Sequence, residues 1–246
     1  MDILKSIFIW IEGILFIIIF FPITCLVWLL VLPFDRERKV MHWMLIYQAY
    51  LVSMILPIWK INIEGREKAD RKSTYVIISN HQSILDILII DCLRFRFKWI
   101  AKIEIMKRPV LGWYLKMAGY ITVDRGNKES KEKMLEKSYR CLERGTSIML
   151  FPEGTRSADR EIGFFKRGAF QLAIGAKKAI LPVLIDGTGE VLPKHGFVFG
   201  TGHKVKVRVF DPVPPESFNT DDPDTLAFEF RTFMTRALKE LREETD

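Results

Sequence analysis

The sequence predicts an α/β protein with a mostly parallel mixed sheet flanked by helices, preceded by an N-terminal two-helix membrane-embedded motif. Three observations lead to this prediction. Short apolar runs of strand length alternate with longer helical patterns through the middle of the chain. The segment Gly13–Leu32 carries no charge. The chain of 246 residues suits one domain of about 180 residues plus an N-terminal appendage. We therefore expect residues 1–59 to form the membrane-associated motif and residues 60–246 the α/β domain.

The N-terminal motif begins with the uncharged run. At about 1.5 Å per residue, a helix over Gly13–Leu32 reaches roughly 30 Å, which is enough to cross a hydrocarbon core. A second apolar stretch, Val40–Ile58, is less uniform because it contains His42, Gln48 and Ser53. A signal peptide does not fit, because the start is weakly basic and the run is too long. A buried core helix fits neither the length nor the composition.

Strand and helix patterns fill the rest of the chain. The strand candidates are short runs rich in β-branched and apolar residues, at 60–63, 74–79, 97–100, 119–123, 147–151, 180–185 and 204–210. Helical patterns cover residues 83–93, 109–117, 128–143, 167–177 and 223–243. Their alternation predicts parallel strand pairs through the middle of the sheet, with antiparallel strands near the edges.

The first chemical motif, Asn-His-Gln-Ser-Ile-Leu-Asp, follows the second strand candidate. It puts His81 in a turn, with Ser83 as a candidate helix N-cap and Asp86 in the first helical turn. Two residues five apart on one helix point roughly 140° apart, so an imidazole–carboxylate contact requires His81 to lie outside the helix. In that geometry Asp86 accepts a hydrogen bond from one ring nitrogen and leaves the other free as a base. The alternative is a polar turn histidine followed by an ordinary helix-start charge.

The second motif, Phe-Pro-Glu-Gly-Thr-Arg-Ser, follows the strand candidate 147–151, which ends at Pro152. Its loop lies at the carboxyl end of a strand, where open α/β sheets bind ligands. Gly154 allows close approach of the backbone to an anion, and Arg156 offers a planar fork for phosphate oxygens. A base and an anion site in one chain indicate acyl transfer to a phosphate-bearing alcohol.

These motifs resemble those of the glycerolipid acyltransferases, most closely the bacterial 1-acylglycerol-3-phosphate O-acyltransferases. The family's His-X4-Asp block is matched by His81 and Asp86, and its other three blocks by residues 119–125, 151–157 and 180–183, in the family's order. The first and third blocks are specific, whereas the second and fourth would be weak alone. The resemblance implies a glycerol-3-phosphate acyltransferase-like fold for the domain.

The resemblance also implies a role for each site residue. His81 would be the general base for the sn-2 hydroxyl of 1-acyl-sn-glycerol 3-phosphate, with Asp86 as its partner, and the product would be phosphatidic acid. The residues implied for the acceptor phosphate and its loop are Arg156, Glu153, Gly154, Thr155, Lys102 and Arg125. No metal and no cofactor are expected. The acyl donor would be a co-substrate, either acyl carrier protein or coenzyme A in thioester form.

For the membrane, the resemblance favours two helices embedded in one leaflet with the charged loop between them at the surface. A hairpin would put Arg36, Arg38 and Lys39 across the membrane, against the positive-inside tendency, and a single span with its N-terminus outside is a further alternative. The implied location is the cell inner membrane, with the catalytic domain on the cytoplasmic side. Lysophosphatidic acid and the bilayer would be partners. The stretch 109–117 either packs in the core, which is favoured, or lines an acyl tunnel.

The amino-acid composition limits the classes of function that the protein can have. The formal charge of +7, from 37 basic and 30 acidic residues, suits an anionic membrane surface, an acidic carrier protein or a phosphorylated substrate. Three cysteines without a C-x-x-C motif exclude a disulfide framework and a structural zinc site. No nucleic-acid partner is expected. The rival functions are an acyltransferase for another lyso-lipid or for glycerol 3-phosphate, a phospholipase, and a non-catalytic membrane-tethered anion-binding module.

The sequence leaves the role of two further basic residues open. Lys166 and Arg167 precede Gly168 at a predicted helix start, where backbone N–H groups help to bind anions. A solvated surface pair explains them equally well. His195 and His203 lack metal-ligand spacing and are assigned no role.

Overall fold

The structure, a computed structural model, describes residues 2–55, 59–200 and 202–244. Its helices are α1 (Asp2–Val31), α2 (Lys39–Ile55), α3 (Asp86–Cys92), α4 (Leu111–Met117), α5 (Lys128–Glu143), α6 (Gly168–Ala176), α7 (Thr188–Val191) and α8 (Pro223–Glu243). Its strands are β1 (Trp59–Glu64), β2 (Val76–Ser79), β3 (Phe97–Lys102), β4 (Ile121–Val123), β5 (Ser147–Leu150), β6 (Ile180–Asp186) and β7 (His203–Val209). Each of the seven strand candidates from the sequence corresponds to one of these strands.

The strands form one sheet in the order β1-β7-β6-β2-β5-β3-β4. The five strands from β6 to β4 are mutually parallel. β7 runs antiparallel to β6, and β1 pairs in parallel with β7. The predicted mixed sheet with antiparallel pairing toward one edge is therefore confirmed. Its consequence for function is that five carboxyl strand ends meet along one edge.

Alternating side chains of the central strands divide the core between the two faces of the sheet. On β2, Ile77 points into the cluster that contains Ile89 of α3, and Val76 and Ile78 point into the cluster that contains Phe170 of α6. Helices α5, α6 and α8 contribute buried residues to the second cluster. Helix α3 and Ile9 of α1 contribute to the first. Both faces are covered, which is the usual requirement of a parallel sheet.

Helix α3 begins later than the sequence pattern indicates. It starts at Asp86 with Leu85 at the N-cap position, so the prediction that Ser83 caps the helix is wrong. The Ser83 hydroxyl donates to the carbonyl of Leu192 at 2.7 Å and accepts the N–H of Leu85, in the turn before the helix, at 3.4 Å. Residues 84 and 85 form a turn, and His81 lies outside the helix, as the imidazole–carboxylate contact requires.

The two N-terminal helices differ in how they are packed. The segment Ile3–Val31 of α1 is long and apolar enough to cross a membrane by length and composition, and little of it is buried. Helix α2 is docked, because Met41 and Ile46 are buried and the Asp35 carboxylate accepts the first backbone N–H groups of the helix. The apolar stretch predicted over 40–58 includes residues 56–58, which lie outside the described residues.

Part of the stretch 109–117 packs in the core, as favoured from the sequence, and part of it lines a surface groove. Leu115 and Met117 are buried in the domain. Pro109, Val110 and Trp113, together with residues of α1, line an apolar groove of about 360 Å³. The groove lies between the N-terminal helix and the domain.

Candidate active site

The candidate site lies at the edge where the parallel strands end. β2 leads into His81, β5 into the loop that contains Arg156, and β6 into Thr188. β3 ends at Lys102, which pairs in register with Val123 two residues before Arg125. Because parallel strands present their carboxyl ends together, residues separated by about a hundred positions in the chain become neighbours.

His81 and Asp86 form a hydrogen-bonded pair. The distance between His81 Nδ1 and Asp86 Oδ2 is 2.8 Å, and the Asp86 side chain is fully buried. The same oxygen accepts the backbone N–H groups of Gln82 and Ser83, at 2.7 and 2.9 Å. The Thr188 hydroxyl donates to the other oxygen. An ionised carboxylate only accepts hydrogen bonds, so the proton lies on Nδ1 and the Nε2 lone pair is free.

One face of the imidazole ring is covered by an aromatic side chain. The ring of Phe151 stacks on His81 at a centroid distance of 3.9 Å and an interplanar angle of 5°. Trp99 supports Phe151 from the other side, at 5.3 Å. Only 14% of the His81 side chain is exposed. The ring therefore has a fixed orientation and limited access from solvent.

The buried carboxylate of Glu153 fixes the backbone of His81. One oxygen accepts the His81 N–H at 2.8 Å and the other accepts the Gly163 N–H at 3.0 Å. The N–H of Ser157 in turn donates to the His81 carbonyl at 2.7 Å. Burial raises the pKa of Glu153 to about 7, and the two backbone hydrogen bonds oppose this rise. Both carboxylate oxygens thus face main-chain donors within the protein.

Gly154 lies at the centre of a group of cations. It has φ +72, and a Cβ added there would lie 2.9 Å from Lys166 Nζ and 3.3 Å from Arg125 Nη1. Arg125 donates to the Gly154 carbonyl. Burial lowers the pKa of both Arg125 and Lys166, and their mutual repulsion lowers that of Lys166 further. Partly desolvated like charges in close proximity form a site that an anion would stabilise.

The other residues predicted for the phosphate site differ in their surroundings. Arg156 is half-buried, and its carbonyl accepts a hydrogen bond from Lys194 Nζ at 2.7 Å. Within the part of the chain that the structure describes, no carboxylate pairs with the Arg156 guanidinium. Thr155 is exposed on the loop. Lys102 is exposed at the end of β3 and pairs with Glu104 at 2.7 Å.

Lys166 and Arg167 have different neighbours in the structure. Lys166 belongs to the cationic group beside Gly154, whereas Arg167 pairs with Asp224 at 3.3 Å. Lys166 lies there because its N–H donates to the Pro152 carbonyl at 2.9 Å. The loop between β5 and α6 therefore folds back on its own beginning.

Sequence reasoning missed two residues that support the site. Thr188 donates to the Asp86 carboxylate, and the Asn80 side chain bridges the main-chain N–H and carbonyl of Ile185, at 2.9 and 2.8 Å. The signal for Thr188 was its position two residues after β6, at the same edge as His81. The signal for Asn80 was a polar residue at the end of a fully buried strand.

The fold and the site define a class of α/β proteins in which a histidine–carboxylate pair lies beside a cationic loop at the carboxyl edge of a parallel sheet. A profile of the acyltransferase family matches residues 60–186, and the chain belongs to this family. It is 36% identical over 184 residues to the chloroplastic 1-acyl-sn-glycerol-3-phosphate acyltransferase LPAT1 of Arabidopsis thaliana, which covers 74% of this chain and 51% of the relative. It is 32% identical over 208 residues to the alpha form of Homo sapiens, covering 84% of this chain and 71% of the relative.

The chain spans about half the length of the plant and algal relatives that it matches. Its fold is similar to the crystal structure of the 1-acyl-sn-glycerophosphate (LPA) acyltransferase PlsC from Thermotoga maritima. That similarity has a TM-score of 0.80 at 23% sequence identity and covers 98% of this chain and 96% of the other. The resemblance inferred from the sequence motifs is confirmed at the level of family and fold.

Proposed function

We propose that this protein transfers a fatty acyl group from a thioester donor to the sn-2 hydroxyl of 1-acyl-sn-glycerol 3-phosphate, which yields phosphatidic acid. The observation that carries the proposal is the 2.8 Å contact between His81 and Asp86 beside the cationic group at Gly154. The names of the relatives agree with it, since they are 1-acyl-sn-glycerol-3-phosphate acyltransferases.

The proposed chemistry begins at His81 Nε2. This nitrogen removes the proton from the acceptor hydroxyl as the oxygen attacks the thioester carbonyl. The C–O ester bond forms, the C–S bond breaks, and the proton passes to the departing thiolate. Asp86 holds the ring in the required tautomer and stabilises the imidazolium. A thiolate, whose parent pKa is near 8.5, leaves readily and needs no strong general acid.

The phosphate of the acceptor would bind at the loop of residues 153–156. Arg156 contributes a guanidinium that has no carboxylate partner among the described residues, and Arg125, Lys166 and Lys102 lie at the same edge of the sheet. Lys102 is paired with Glu104, but a lyso-lipid without phosphate would leave the other three charges uncompensated. The cationic group therefore favours a phosphate-bearing acceptor over a lyso-ornithine lipid, and glycerol 3-phosphate is the second candidate acceptor.

Transfer would be direct, without an acyl-enzyme. No Gly-X-Ser-X-Gly elbow occurs in the sequence. Burial raises the pKa of the Cys92 and Cys141 thiols, which makes both poor nucleophiles. Quenching the enzyme with labelled thioester in the absence of acceptor tests this step: no label should remain on the protein, and ping-pong kinetics would contradict direct transfer.

The proposed location is the cell inner membrane, with α1 in one leaflet and the catalytic domain on the cytoplasmic side. Acyl carrier protein and coenzyme A thioesters are the two candidate donors. The lack of packing around α1 supports the membrane assignment. Alkaline carbonate should leave the protein in the membrane fraction, and recovery in the soluble fraction would contradict the assignment.

The decisive experiment compares the full chain with its His81→Ala variant, using a thioester donor and lysophosphatidic acid. The full chain should release thiol only when the acceptor is present and should form phosphatidic acid. The variant should be inactive but still folded by circular dichroism, whereas His203→Ala, a histidine outside the site that pairs with Glu190, should keep full activity. Thiol or fatty acid release without acceptor would indicate a hydrolase, and no turnover at all would indicate a binding module.

A further inference from the structure

The loop between α7 and β7 ends in an exposed apolar tip. Over residues 193–200, hereafter the 193–200 loop, Phe197 is 77% exposed and Val198 is 45% exposed. The next residue, Phe199, is buried. Exposing two adjacent large apolar side chains to water is unfavourable relative to burying them. An exposed apolar tip of this kind indicates a contact surface for a partner.

The loop has a defined structure. The N–H of Gly196 donates to the Pro193 carbonyl and the N–H of Gly200 to the Val191 carbonyl, both at 2.9 Å. The first hydrogen bond closes a turn and the second closes the base of the loop. With Phe199 packed in the core, Phe197 and Val198 are held outward by the backbone.

This tip is attached to α1. The indole Nε1 of Trp10 donates to the Phe197 carbonyl at 2.9 Å, and the Phe199 N–H donates to the Ser6 hydroxyl at 2.8 Å. The rings of Trp10 and Phe199 lie 5.2 Å apart. The exposed side chains of the loop are therefore continuous with the apolar surface of α1, on which Leu4 and Phe8 are also exposed.

We propose that the 193–200 loop is a second membrane-contacting element, whose Phe197 and Val198 side chains insert into the same leaflet as α1. The apolar surface of the tip is continuous with that of α1, and this favours a bilayer over a protein as the partner. A helix that is apolar on all sides and little buried suits lipid rather than one protein surface. A tryptophan at the junction is typical of the membrane–water interface, because its ring is apolar and its N–H needs an acceptor.

Insertion of this loop would fix the distance between the active site and the membrane surface. In the same loop, Lys194 Nζ donates to the Arg156 carbonyl at 2.7 Å, and the Ser83 hydroxyl donates to the Leu192 carbonyl at the start of the loop. One short segment thus connects the tip to both the anion loop and the His81 turn. This consequence rests on the proposed function. The insertion of Phe197 does not.

The test measures the depth of Phe197 directly. In a full-length background with alanine at Cys25, Cys92 and Cys141, Phe197→Cys is labelled with bimane and bound to vesicles of phosphatidylglycerol and phosphatidylcholine in equal parts. The same vesicles are then made with acyl-chain-dibrominated phosphatidylcholine. The label at 197 should lose fluorescence by at least about twofold in brominated vesicles, because an inserted group lies within the acyl boundary region.

The matched control is Phe228→Cys on α8. Phe228 is 64% exposed, but α8 packs on the opposite face of the sheet from α1. Its label should be unaffected by the brominated lipid. Equal fluorescence of the 197 label in both vesicle types would overturn the proposal. The same result is expected if a protein, and not lipid, covers the tip.

A second variant separates this proposal from the proposed function. Phe197→Asp alters only an exposed side chain, so the fold should persist. It should lower turnover of lysophosphatidic acid in vesicles by about tenfold or more, through the cost of burying a charge at the interface. It should leave turnover of a water-soluble short-chain acceptor unchanged. An equal loss on both acceptors would contradict membrane insertion, whereas no activity in the parent protein would contradict only the proposed function.

Discussion

The buried carboxylate of Glu153 accepts the main-chain N–H of His81 at 2.8 Å, although the two residues lie 72 positions apart in the chain. The second oxygen of the same carboxylate binds the Gly163 N–H, so the loop that carries Arg156 also fixes the backbone of His81. This arrangement makes Glu153 a positioning residue for the proposed base. Its kinetic signature should differ from that of a phosphate ligand.

Glu153→Gln should lower kcat with little change in the KM of the acceptor. The glutamine amide has one oxygen and one NH2 group, and the NH2 group cannot accept a hydrogen bond from a main-chain N–H. One of the two charge-assisted hydrogen bonds that Glu153 makes is therefore lost. A loss of about 1.5–3 kcal/mol from such a bond corresponds to a fall of about 10- to 100-fold. Glu161→Gln, an exposed carboxylate of the same loop that pairs with Arg242, is the control. A raised KM with unchanged kcat would instead assign Glu153 to the phosphate site.

The pH dependence of the free energy of unfolding should show the raised pKa of Glu153. Burial raises its pKa from the ordinary value of 4.5 to about 7 in the folded protein. Between these values the folded state holds more protons than the unfolded state, so the free energy of unfolding falls as pH rises. The contribution of this group should decrease by about 2 kcal/mol between pH 5 and pH 7. Denaturant unfolding in detergent at the two pH values should show this slope, and Glu153→Gln should lack it. A parallel pH response of the two proteins would contradict the buried titration.

Thr188→Val should destabilise the protein and disturb the His81–Asp86 pair. Valine matches threonine in shape but cannot donate to the buried Asp86 oxygen that Thr188 satisfies. An unsatisfied buried acceptor costs about 1–3 kcal/mol, so the free energy of unfolding should fall by that amount and kcat should fall as well. Thr232→Val is the control, because its hydroxyl bonds a helix carbonyl on an exposed face of α8. Equal unfolding midpoints for the two variants would show that the Thr188 hydroxyl is dispensable.

Arg156→Ala should act on acceptor binding. Removing one guanidinium–phosphate contact costs about 1.5–3 kcal/mol, which corresponds to a rise of about 10- to 100-fold in the acceptor KM. Added salt should weaken acceptor use less in the variant than in the parent, since one screened charge is gone. Arg160→Ala is the matched control, because this arginine of the same loop pairs with Glu190. An unchanged dependence of rate on acceptor concentration would argue against phosphate binding at Arg156.

Much of the fold follows from local patterns in the sequence. The bounds predicted for α5 and α8 agree with the structure, residues 128–143 and 223–243, because an N-cap side chain, Asn127 or Asp222, marks each start. The condition for a contact between His81 and Asp86, that His81 lies outside the helix, also followed from the sequence, since a turn and one helix start decide it over five residues. Ser83 shows where local rules fail: its hydroxyl bonds the distant Leu192 carbonyl and does not cap the helix.

The tertiary structure alone decided the surroundings of that pair. Glu153 reaches His81 across 72 positions and Thr188 reaches Asp86 across 102, because β5 and β6 flank β2 in the sheet. The position of Lys166 beside Gly154 and the contact of the Phe197 carbonyl with Trp10 of α1 depend in the same way on packing between distant segments. Residue periodicity and turn chemistry determine a segment's own conformation. They contain no information on which strand lies beside which, and that order determines what surrounds the imidazole.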